Sequence, residues 1–459
     1  MDVAFSKIKI TPKNYIGKPM AGYARKDPCL GKLDDIYAYG VLITQNKKNT
    51  NLLLISVDVL KLPLSIVEYI KKKLISKFKP LKSDMIVIHA THTHSSFDLT
   101  GEFYYPGGTL AFIKGVMFAD NKNDDFIVWM TDRIVRMVAK LFKDLDPCKI
   151  AWKKEKFNPD IVLNRKWPTR TVIPDLGIIS FKKLVDSKLI GILINYACHP
   201  TTLSYQNSQL SADFPGRVIS KIDEVSNNKI KAIYFNGPSG DLNPITTSGT
   251  NLEEIDKDKN LTYNQRGNYE HTKKIGHIIG EEALKLANSI PEEEYFEFMD
   301  IDVYTRRFLI PQKDAKYFSK VWFLNSVKWW IKKYLLFRIA NFDEKFVNFP
   351  FFKVERRHFK NYIKTIVQFI KLTASNGKTY GLITIPGELF EEIGKNIIRE
   401  APTSEENTLI FQNTQDWIGY LFPLEMYINE GGYEPFICFS PLCGAYLEIG
   451  TKKFLNELK

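Results

Sequence analysis

Short apolar runs, each ending in a polar loop, are the feature that most constrains the fold of this chain. Their length and their Ile, Val and Leu content indicate buried β-strands, at 52–57, 84–94, 188–196, 231–235 and 379–385. Apolar residues at helical spacing separate these runs, at 65–79, 126–144, 268–288 and 388–400. Alternating strands and helices indicate a mixed α/β (α+β) fold, with central β-sheets covered by helices. We find no repeat or linker, so we expect residues 1–459 to form one large domain.

The positive charge of the chain does not indicate nucleic-acid binding. The formal net charge is +12, a balance that can favour nucleic acid or anionic lipid. The lysines are dispersed, however, and the densest run, at 71–73, is predicted to lie on the solvated face of the 65–79 helix. Ser65 and Glu68 are predicted to cap this helix. Because no zinc finger or RNA-binding motif is present, we expect no nucleic-acid partner.

The sequence predicts a cytoplasmic protein. No apolar stretch is long enough to span a membrane, and the N-terminus lacks a basic region followed by an apolar one. The five cysteines form no CxxC pair, which favours a reduced compartment. Cys198 lies beside His199 but has no activating pattern around it, so we expect a buried, inert thiol.

The segment 318–342 leaves two interpretations open. Aromatic and apolar residues recur at helical spacing with basic residues between them: Phe323, Val327, Lys328, Trp330, Lys332, Lys333, Tyr334, Phe337 and Arg338. The segment could be an ordinary amphipathic helix packed on the core. It could also be an interfacial helix that gives the protein a peripheral membrane contact.

A pair of histidines follows one of the predicted strands. His92 and His94 lie in the segment Thr-His-Thr-His-Ser, directly after the apolar run at 85–88. Side chains two residues apart on a strand share a face, so both imidazoles are predicted to point the same way. This arrangement suits a metal site, or one metal ligand beside one catalytic imidazole. A long loop at 97–126, rich in glycine, aromatic and acidic residues, could line or cover that site.

Other segments could complete such a site. His199 ends the run at 188–196, and Glu388 stands at the turn after the run at 379–385. A carboxylate at this position could favour a helix N-terminus or serve as a hard metal ligand. Three late tyrosines are further candidates: Tyr420, Tyr427 and Tyr433.

Three loops look like walls of the site. Asp241 lies in the glycine-containing loop 236–244 and could orient a ligating histidine, so we count it with the catalytic residues. Arg165 offers a guanidinium that could bind an oxyanion. Asp213 is another acid that could support a ligand. Each of these segments could equally be a simple turn.

Taken together, these segments resemble the catalytic domain of the neutral (alkaline, non-lysosomal) ceramidase family. The resemblance runs in the same motif order from Ile-Thr-Pro at 10–12 and Met-Ala-Gly-Tyr at 20–23 to Tyr-Glu-Pro at 433–435. Thr-His-Thr-His-Ser at 91–95 is its most specific piece, followed by Pro-Gly-Glu-Leu-Phe at 386–390. The resemblance implies a ceramidase-like fold for the chain.

The resemblance also implies a zinc site, with one Zn²⁺ per chain. Its implied ligands are His92, His199, Glu388 and Tyr420, with Tyr427 as an alternative to Tyr420. The implied catalytic set contains His94, Arg165 and Tyr433. The implied activity is zinc-dependent hydrolysis of an amide, the N-acyl bond of a ceramide or ceramide-like lipid, by a metal-activated water.

Departures from the family pattern keep other functions open. Asn243 stands where the family usually has serine, and Lys166 and Trp167 replace small residues. We also expect no C-terminal immunoglobulin-like domain and no secretion signal. One alternative is a metal-dependent amidase, esterase or deacylase that acts on a polar N-acyl or O-acyl substrate outside the sphingolipids. A second is a basic membrane-surface protein whose metal site is not catalytic.

Overall fold

The computed structural model describes residues 1–23, 25, 27–45, 50–101, 103, 123–246, 267–311, 362–429, 434, 438 and 440–459. The α-helices within these ranges are α1 Leu64–Lys77, α2 Asp124–Lys143, α3 Asp213–Val225, α4 Tyr269–Asn288, α5 Glu391–Arg399, α6 Leu424–Asn429 and α7 Cys443–Asn456. Short 3₁₀ turns lie at Ser83–Met85, Glu292–Glu294 and Glu405–Asn407.

The strands follow the predicted runs and add several short ones. They are β1 Asp2–Lys9, β2 Gly31–Lys32, β3 Tyr37–Gln45, β4 Thr50–Val57, β5 Ile86–Ala90, β6 Asp146–Lys156, β7 Val162–Asn164, β8 Asp175–Lys183, β9 Leu189–Tyr196, β10 Gln209–Leu210, β11 Lys231–Asn236, β12 Leu242–Pro244, β13 Met299–Pro311, β14 Tyr362–Ala374, β15 Thr379–Thr384, β16 Glu388–Leu389, β17 Thr408–Phe411 and β18 Tyr420–Leu421. The mixed α/β class predicted from the sequence is confirmed.

Eight strands form the largest sheet, in the order β11-β9-β8-β6-β1-β3-β4-β5. The outer pairs β4–β5 and β11–β9 are parallel, and the pairs between them are antiparallel. A second sheet has the order β13-β14-β15-β17. Two-stranded ladders join β10 to β2, β12 to β7 and β16 to β18.

Along β3 and β4, alternating side chains place a separate core on each face of the large sheet. Along β4, Leu52 and Leu54 join one core, whereas Leu53 and Ile55 join another that includes α1 and α2. The first core continues to one face of the four-stranded sheet. A third core covers the other face of that sheet with α5 and α7. The first core also contains apolar residues of α3 and α4.

Two features of the first predicted helix are wrong. Ser65 and Glu68 do not cap α1, because the N-cap is Pro63 and makes no side-chain hydrogen bond. Instead, the Leu64 backbone N–H donates to Asp416 Oδ1 over 2.8 Å. Lys71 is also buried rather than solvated, and its ammonium donates to the Ser83 carbonyl at 3.0 Å.

Several predicted features lie outside the described residues. They are the segment 318–342, Tyr433, and most of the loops at 97–126 and 246–264. The side chain of Tyr427, near the end of α6, also falls outside this description. Among the described helices, none is both long and apolar enough to cross a membrane.

Candidate metal centre

The predicted ligands come from the ends of separate strands. His92 follows β5 and His199 follows β9, at the carboxyl ends of the parallel outer pairs of the large sheet. Glu388 and Tyr420 face each other across the ladder of β16 and β18. All four side chains are buried. Because the strands fix where each segment ends, four distant parts of the chain meet at one place.

The ligand atoms of these side chains lie close together. His92 Nε2 is 3.3 Å from Glu388 Oε2, and His199 Nε2 is 3.7 Å from the same oxygen. Bonds of about 2.0–2.2 Å to one tetrahedral zinc would separate two ligand atoms by roughly 3.3–3.6 Å. The observed spacing therefore matches that of atoms that share an ion.

His92 reaches this position through an unusual backbone conformation. The predicted strand to residue 94 ends at Ala90, and His92 has a φ of 67°. Non-glycine residues rarely adopt this left-handed region, and it commonly marks a functional constraint. His92 and His94 still converge, with ring centroids 5.0 Å apart. The cause is this local turn, however, and not the strand alternation that we predicted.

Backbone carbonyls orient the imidazoles of both predicted histidine ligands. His92 Nδ1 donates to the Leu60 carbonyl at 2.6 Å, and His199 Nδ1 donates to the Ser239 carbonyl at 3.0 Å. With the proton on Nδ1, each ring presents the lone pair of Nε2 to the site. Asp241 does not orient a histidine through its carboxylate, contrary to our prediction. That carboxylate accepts from the Asn164 amide and the Glu391 backbone N–H instead.

A hydrogen bond also holds the Glu388 carboxylate through the oxygen that does not face the histidines. Trp417 Nε1 donates to Glu388 Oε1 at 3.0 Å, which leaves Oε2 facing the histidines. The Lys61 ammonium lies 4.1 Å from the centre of the Trp417 ring. Both Trp417 and Lys61 are buried. A cation over the indole stabilises this ring position and so fixes the direction of the carboxylate.

Arg165 lies beside Tyr420 rather than at the histidines. Its guanidinium carbon is 5.3 Å from the centre of the Tyr420 ring. Arg165 Nη1 donates to Glu434 Oε1 and Nη2 donates to the Gly240 carbonyl, each at 2.7 Å. Glu434 is fully buried, so the ion pair holds the guanidinium rigidly. The oxyanion-binding role of Arg165 stays a prediction.

His94 occupies a tight niche next to His199. The two Nε2 atoms are 3.2 Å apart. Gly22 has a φ of +98°, and a Cβ at this residue would stand 2.6 Å from His94 Cβ. The Tyr23 ring packs against the His94 ring at 4.9 Å, and Arg25 Nη2 donates to the His94 carbonyl. Gly22, Tyr23 and Arg25 therefore fix the position of His94.

The loop between β11 and β12 forms one wall of the centre. A Cβ on Gly240 would meet the Glu388 carbonyl at 2.6 Å, so glycine permits the close approach predicted for this loop. Asn243 is buried in β12, which pairs with β7. Asp213 is the first residue of α3, and its carboxylate accepts from Leu203 N and Phe214 N. Cys198 is fully buried, and burial raises its pKa well above the ordinary value.

Burial and mutual charge set the protonation of the centre. Burial, aided by the neighbouring His92 and by other groups, lowers the pKa of His199 to about 3 and that of His94 well below its ordinary value. Burial acts to raise the pKa of Glu388, but His92, His199 and Tyr420 outweigh it and lower that pKa to about 2. Neutral imidazoles beside a carboxylate are the forms that bind a divalent cation.

The residues present fit a zinc ion. His92 Nε2 and Glu388 Oε2 are buried and lack a hydrogen-bond partner of good geometry among the described residues. Nitrogen and oxygen ligands from His, Glu and Tyr suit zinc. A second possible set is His92, His94 and His199, whose ligand nitrogens lie within 4.8 Å of one another. The two sets share His92 and His199. The first adds Glu388 and Tyr420, and the second adds His94.

Sequence reasoning missed the residues that support the ligands. Trp417 and Glu434 lie close in sequence to the candidate tyrosines Tyr420 and Tyr433, and no motif marks Lys61. Trp417 is 29 residues from Glu388, and Glu434 is 269 residues from Arg165. No local periodicity connects residues at such separations. The only available signal was their position beside candidate tyrosines.

Two solved structures share the fold of this chain. Neutral ceramidase from Pseudomonas aeruginosa matches with a TM-score of 0.70 and 13% identity, over 100% of this chain and 74% of that one. A ceramidase complexed with C2 matches with a TM-score of 0.72 and 13% identity, over 100% and 75% of the two chains. No family model and no curated protein matches the sequence. The fold is that of neutral ceramidase, as the sequence resemblance predicted.

Proposed function

We propose that this protein is a zinc-dependent hydrolase that cleaves the N-acyl amide bond of a ceramide-like lipid. The observation that carries this proposal is the convergence of three ligand atoms. His92 Nε2 and His199 Nε2 lie 3.3 and 3.7 Å from Glu388 Oε2. Each group is buried and oriented through its other polar atom. The fold shared with neutral ceramidase supports the choice of substrate class.

His92, His199, Glu388 and Tyr420 would hold the zinc. When bound there, Zn²⁺ would lower the pKa of a water molecule towards about 7 and polarise a carbonyl oxygen.

The remaining residues would donate a proton to the leaving group and stabilise the negative charge that develops on the substrate. The leaving nitrogen of an amide must gain a proton, and His94 Nε2 lies at the centre to hold one. Arg165 places a guanidinium beside Tyr420, close to where negative charge would develop on the substrate oxygen. Glu434 keeps that guanidinium in place. A contribution from Tyr433 belongs to the same proposal.

Zinc content and amide hydrolysis test the proposal together. We expect one zinc per chain by elemental analysis in the purified protein. His92→Ala should lose both the zinc and the activity, because it removes a buried ligand. The control is His277→Ala, which changes a half-buried histidine of α4 outside the centre. A zinc-free wild-type protein that stays inactive after zinc addition would contradict the proposal.

Matched substrates test the lipid part of the proposal. Fluorescent amides with short and long acyl chains on the same sphingoid base should be cleaved, with the higher kcat/KM for the long chain. Cleavage of only small polar N-acyl or O-acyl compounds would favour the non-sphingolipid alternative. Binding to anionic vesicles without any hydrolysis would favour the membrane-surface alternative.

A further inference from the structure

A separate cleft lies where β1 ends against the start of α2. Its volume is about 780 Å³, within the range of small-ligand sites. The walls come from residues 9–18, from Lys32 and Asp35, and from the first turns of α2. None of the proposed zinc ligands lines it.

Positive charge dominates the lining of this cleft. Lysines or arginine occur at five lining positions and aspartates at two, a difference of three positive charges. Asp35 already binds Lys9 at 3.3 Å and Lys32 at 2.6 Å. Lys13 and Lys18 have no ion-pair partner among the residues that the structure describes. Their ammonium groups are therefore available to an anionic ligand.

Two aromatic rings in the lining lie beside cations. Lys32 Nζ is 5.9 Å from the centre of the Tyr15 ring, and the Arg133 guanidinium carbon is 5.8 Å from the centre of the Trp129 ring. Arg133 Nε donates to the Lys9 carbonyl at 3.1 Å, which fixes the guanidinium at the cleft. Flat apolar surfaces next to cations suit a ligand that joins a planar ring to an anion.

We propose that this cleft binds a phosphate monoester of a planar aromatic group, the class that includes nucleoside monophosphates. Lys13, Lys18 and Arg133 bind the phosphate, and Tyr15 and Trp129 contact the ring. Asp35 is neutralised by Lys9 and Lys32, whereas Asp125 also lines the cleft and would repel additional phosphates. A single phosphate is therefore preferred over a polyphosphate chain.

Isothermal titration calorimetry of the full chain with adenosine 5′-monophosphate tests this proposal. We expect this ligand to bind at least about tenfold more tightly than adenosine or inorganic phosphate, because each lacks half of the recognised groups. The double variant Lys13→Ala/Lys18→Ala should weaken binding about tenfold or more. The matched control is Lys72→Ala/Lys73→Ala, which removes two exposed lysines of α1 and should leave the affinity unchanged.

Three results would overturn the proposal. The first is no detectable heat up to about 1 mM nucleotide, and the second is an equal loss of affinity in the control variant. The third is binding to phosphatidic acid vesicles but not to the soluble nucleotide, which would assign the cleft to lipid phosphate. Zinc content and amide hydrolysis do not enter these measurements, so this inference can fail while the proposed function holds.

Discussion

Three of the four proposed zinc ligands are each fixed through an atom that does not face the other ligands. Leu60 and Ser239 hold the histidine Nδ1 atoms, and Trp417 holds the far oxygen of Glu388. Residues in such supporting positions orient the ligands and raise their affinity for the metal. At the scale of single residues, the centre is therefore preorganised, and single substitutions can separate binding from catalysis.

The first prediction distinguishes the two candidate ligand sets. Glu388→Gln should lose zinc and activity, because the amide carries no charge and its geometry differs from that of a carboxylate. His94→Gln should keep the zinc but lose most of the activity, because it removes a proton carrier, a change that commonly costs about 10²–10⁴-fold. Elemental analysis and single-turnover hydrolysis measure the two effects. Loss of zinc in His94→Gln would instead support the three-histidine set.

The second prediction concerns Trp417. Trp417→Phe removes the donor to Glu388 Oε1 and keeps an aromatic ring over which Lys61 can lie. We expect zinc affinity to fall about 10- to 100-fold, as is typical when a group that orients a ligand is lost. Competition with a fluorescent chelator measures this change. Trp129→Phe, on α2 and outside the centre, is the control, and equal affinities in both variants would contradict the role of Trp417.

The third prediction concerns the glycine next to His94. Gly22→Ala should lower activity and stability, because the new Cβ would stand 2.6 Å from His94 Cβ. Gly17 provides a matched control, since it also has a positive φ, of 78°, but a Cβ at this residue would have only its chain neighbours within 4 Å. Gly17→Ala should show only the backbone strain of about 1–3 kcal/mol. If both variants lose activity equally, contact with His94 is not the cause.

At the scale of elements, a short two-stranded ladder positions two of the proposed zinc ligands. The β16–β18 pair has two residues in each strand, yet it brings Glu388 beside Tyr420. Asp416 joins the same region to α1 by accepting from Leu64 N, and to β14 by accepting from Thr365 Oγ1. The stretch 416–421 therefore ties the metal centre to α1 and to the second sheet.

The fourth prediction concerns the pH dependence of stability through α1. Burial lowers the pKa of Lys71 from 10.5 to about 8. Between these values the folded state binds fewer protons than the unfolded state, so the free energy of unfolding rises with pH from about 8 to 10.5. Below pH 8 the folded state retains a costly buried charge. Lys71→Met should then raise the free energy of unfolding at pH 7, by at most about 3 kcal/mol for the 2.5-unit difference.

Urea unfolding at several pH values measures this effect. In Lys71→Met, the rise in stability above pH 8 should be smaller than in the wild type. Lys72→Met, at an exposed position of the same helix, should leave the wild-type profile unchanged. A Lys71→Met variant that is less stable at pH 7 would show that the hydrogen bond to Ser83 outweighs the cost of burial.

At the scale of the whole molecule, the sequence could predict the sheets and helices but not how they meet. The apolar runs predicted β9, β11 and β15 to within one residue at each end, because buried strands need continuous apolar residues. The early end of β5 escaped prediction, because the φ of 67° at His92 depends on contacts such as the His92 N–H bond to the Val59 carbonyl. The burial of Lys71 likewise depends on a carbonyl 12 residues away.

The last prediction concerns the effect of zinc on stability, because the proposed ligands come from separate strands. His92 and His199 follow β5 and β9, and Glu388 and Tyr420 lie in β16 and β18, so bound zinc would join the large sheet to the β16–β18 ladder. An ion that binds the folded state and not the unfolded state stabilises it, by about 2.7 kcal/mol at a free concentration of 100 times Kd.

Thermal unfolding followed by circular dichroism tests this linkage. The melting temperature should fall on treatment with a chelator and rise again with each increment of zinc. Magnesium should have little effect, because it prefers all-oxygen octahedral sites. His92→Ala should melt at one temperature with or without zinc, because it lacks a ligand that joins the sheets. If the melting temperature of this variant rises with zinc as much as that of the wild type, the stabilising ion is bound elsewhere in the protein.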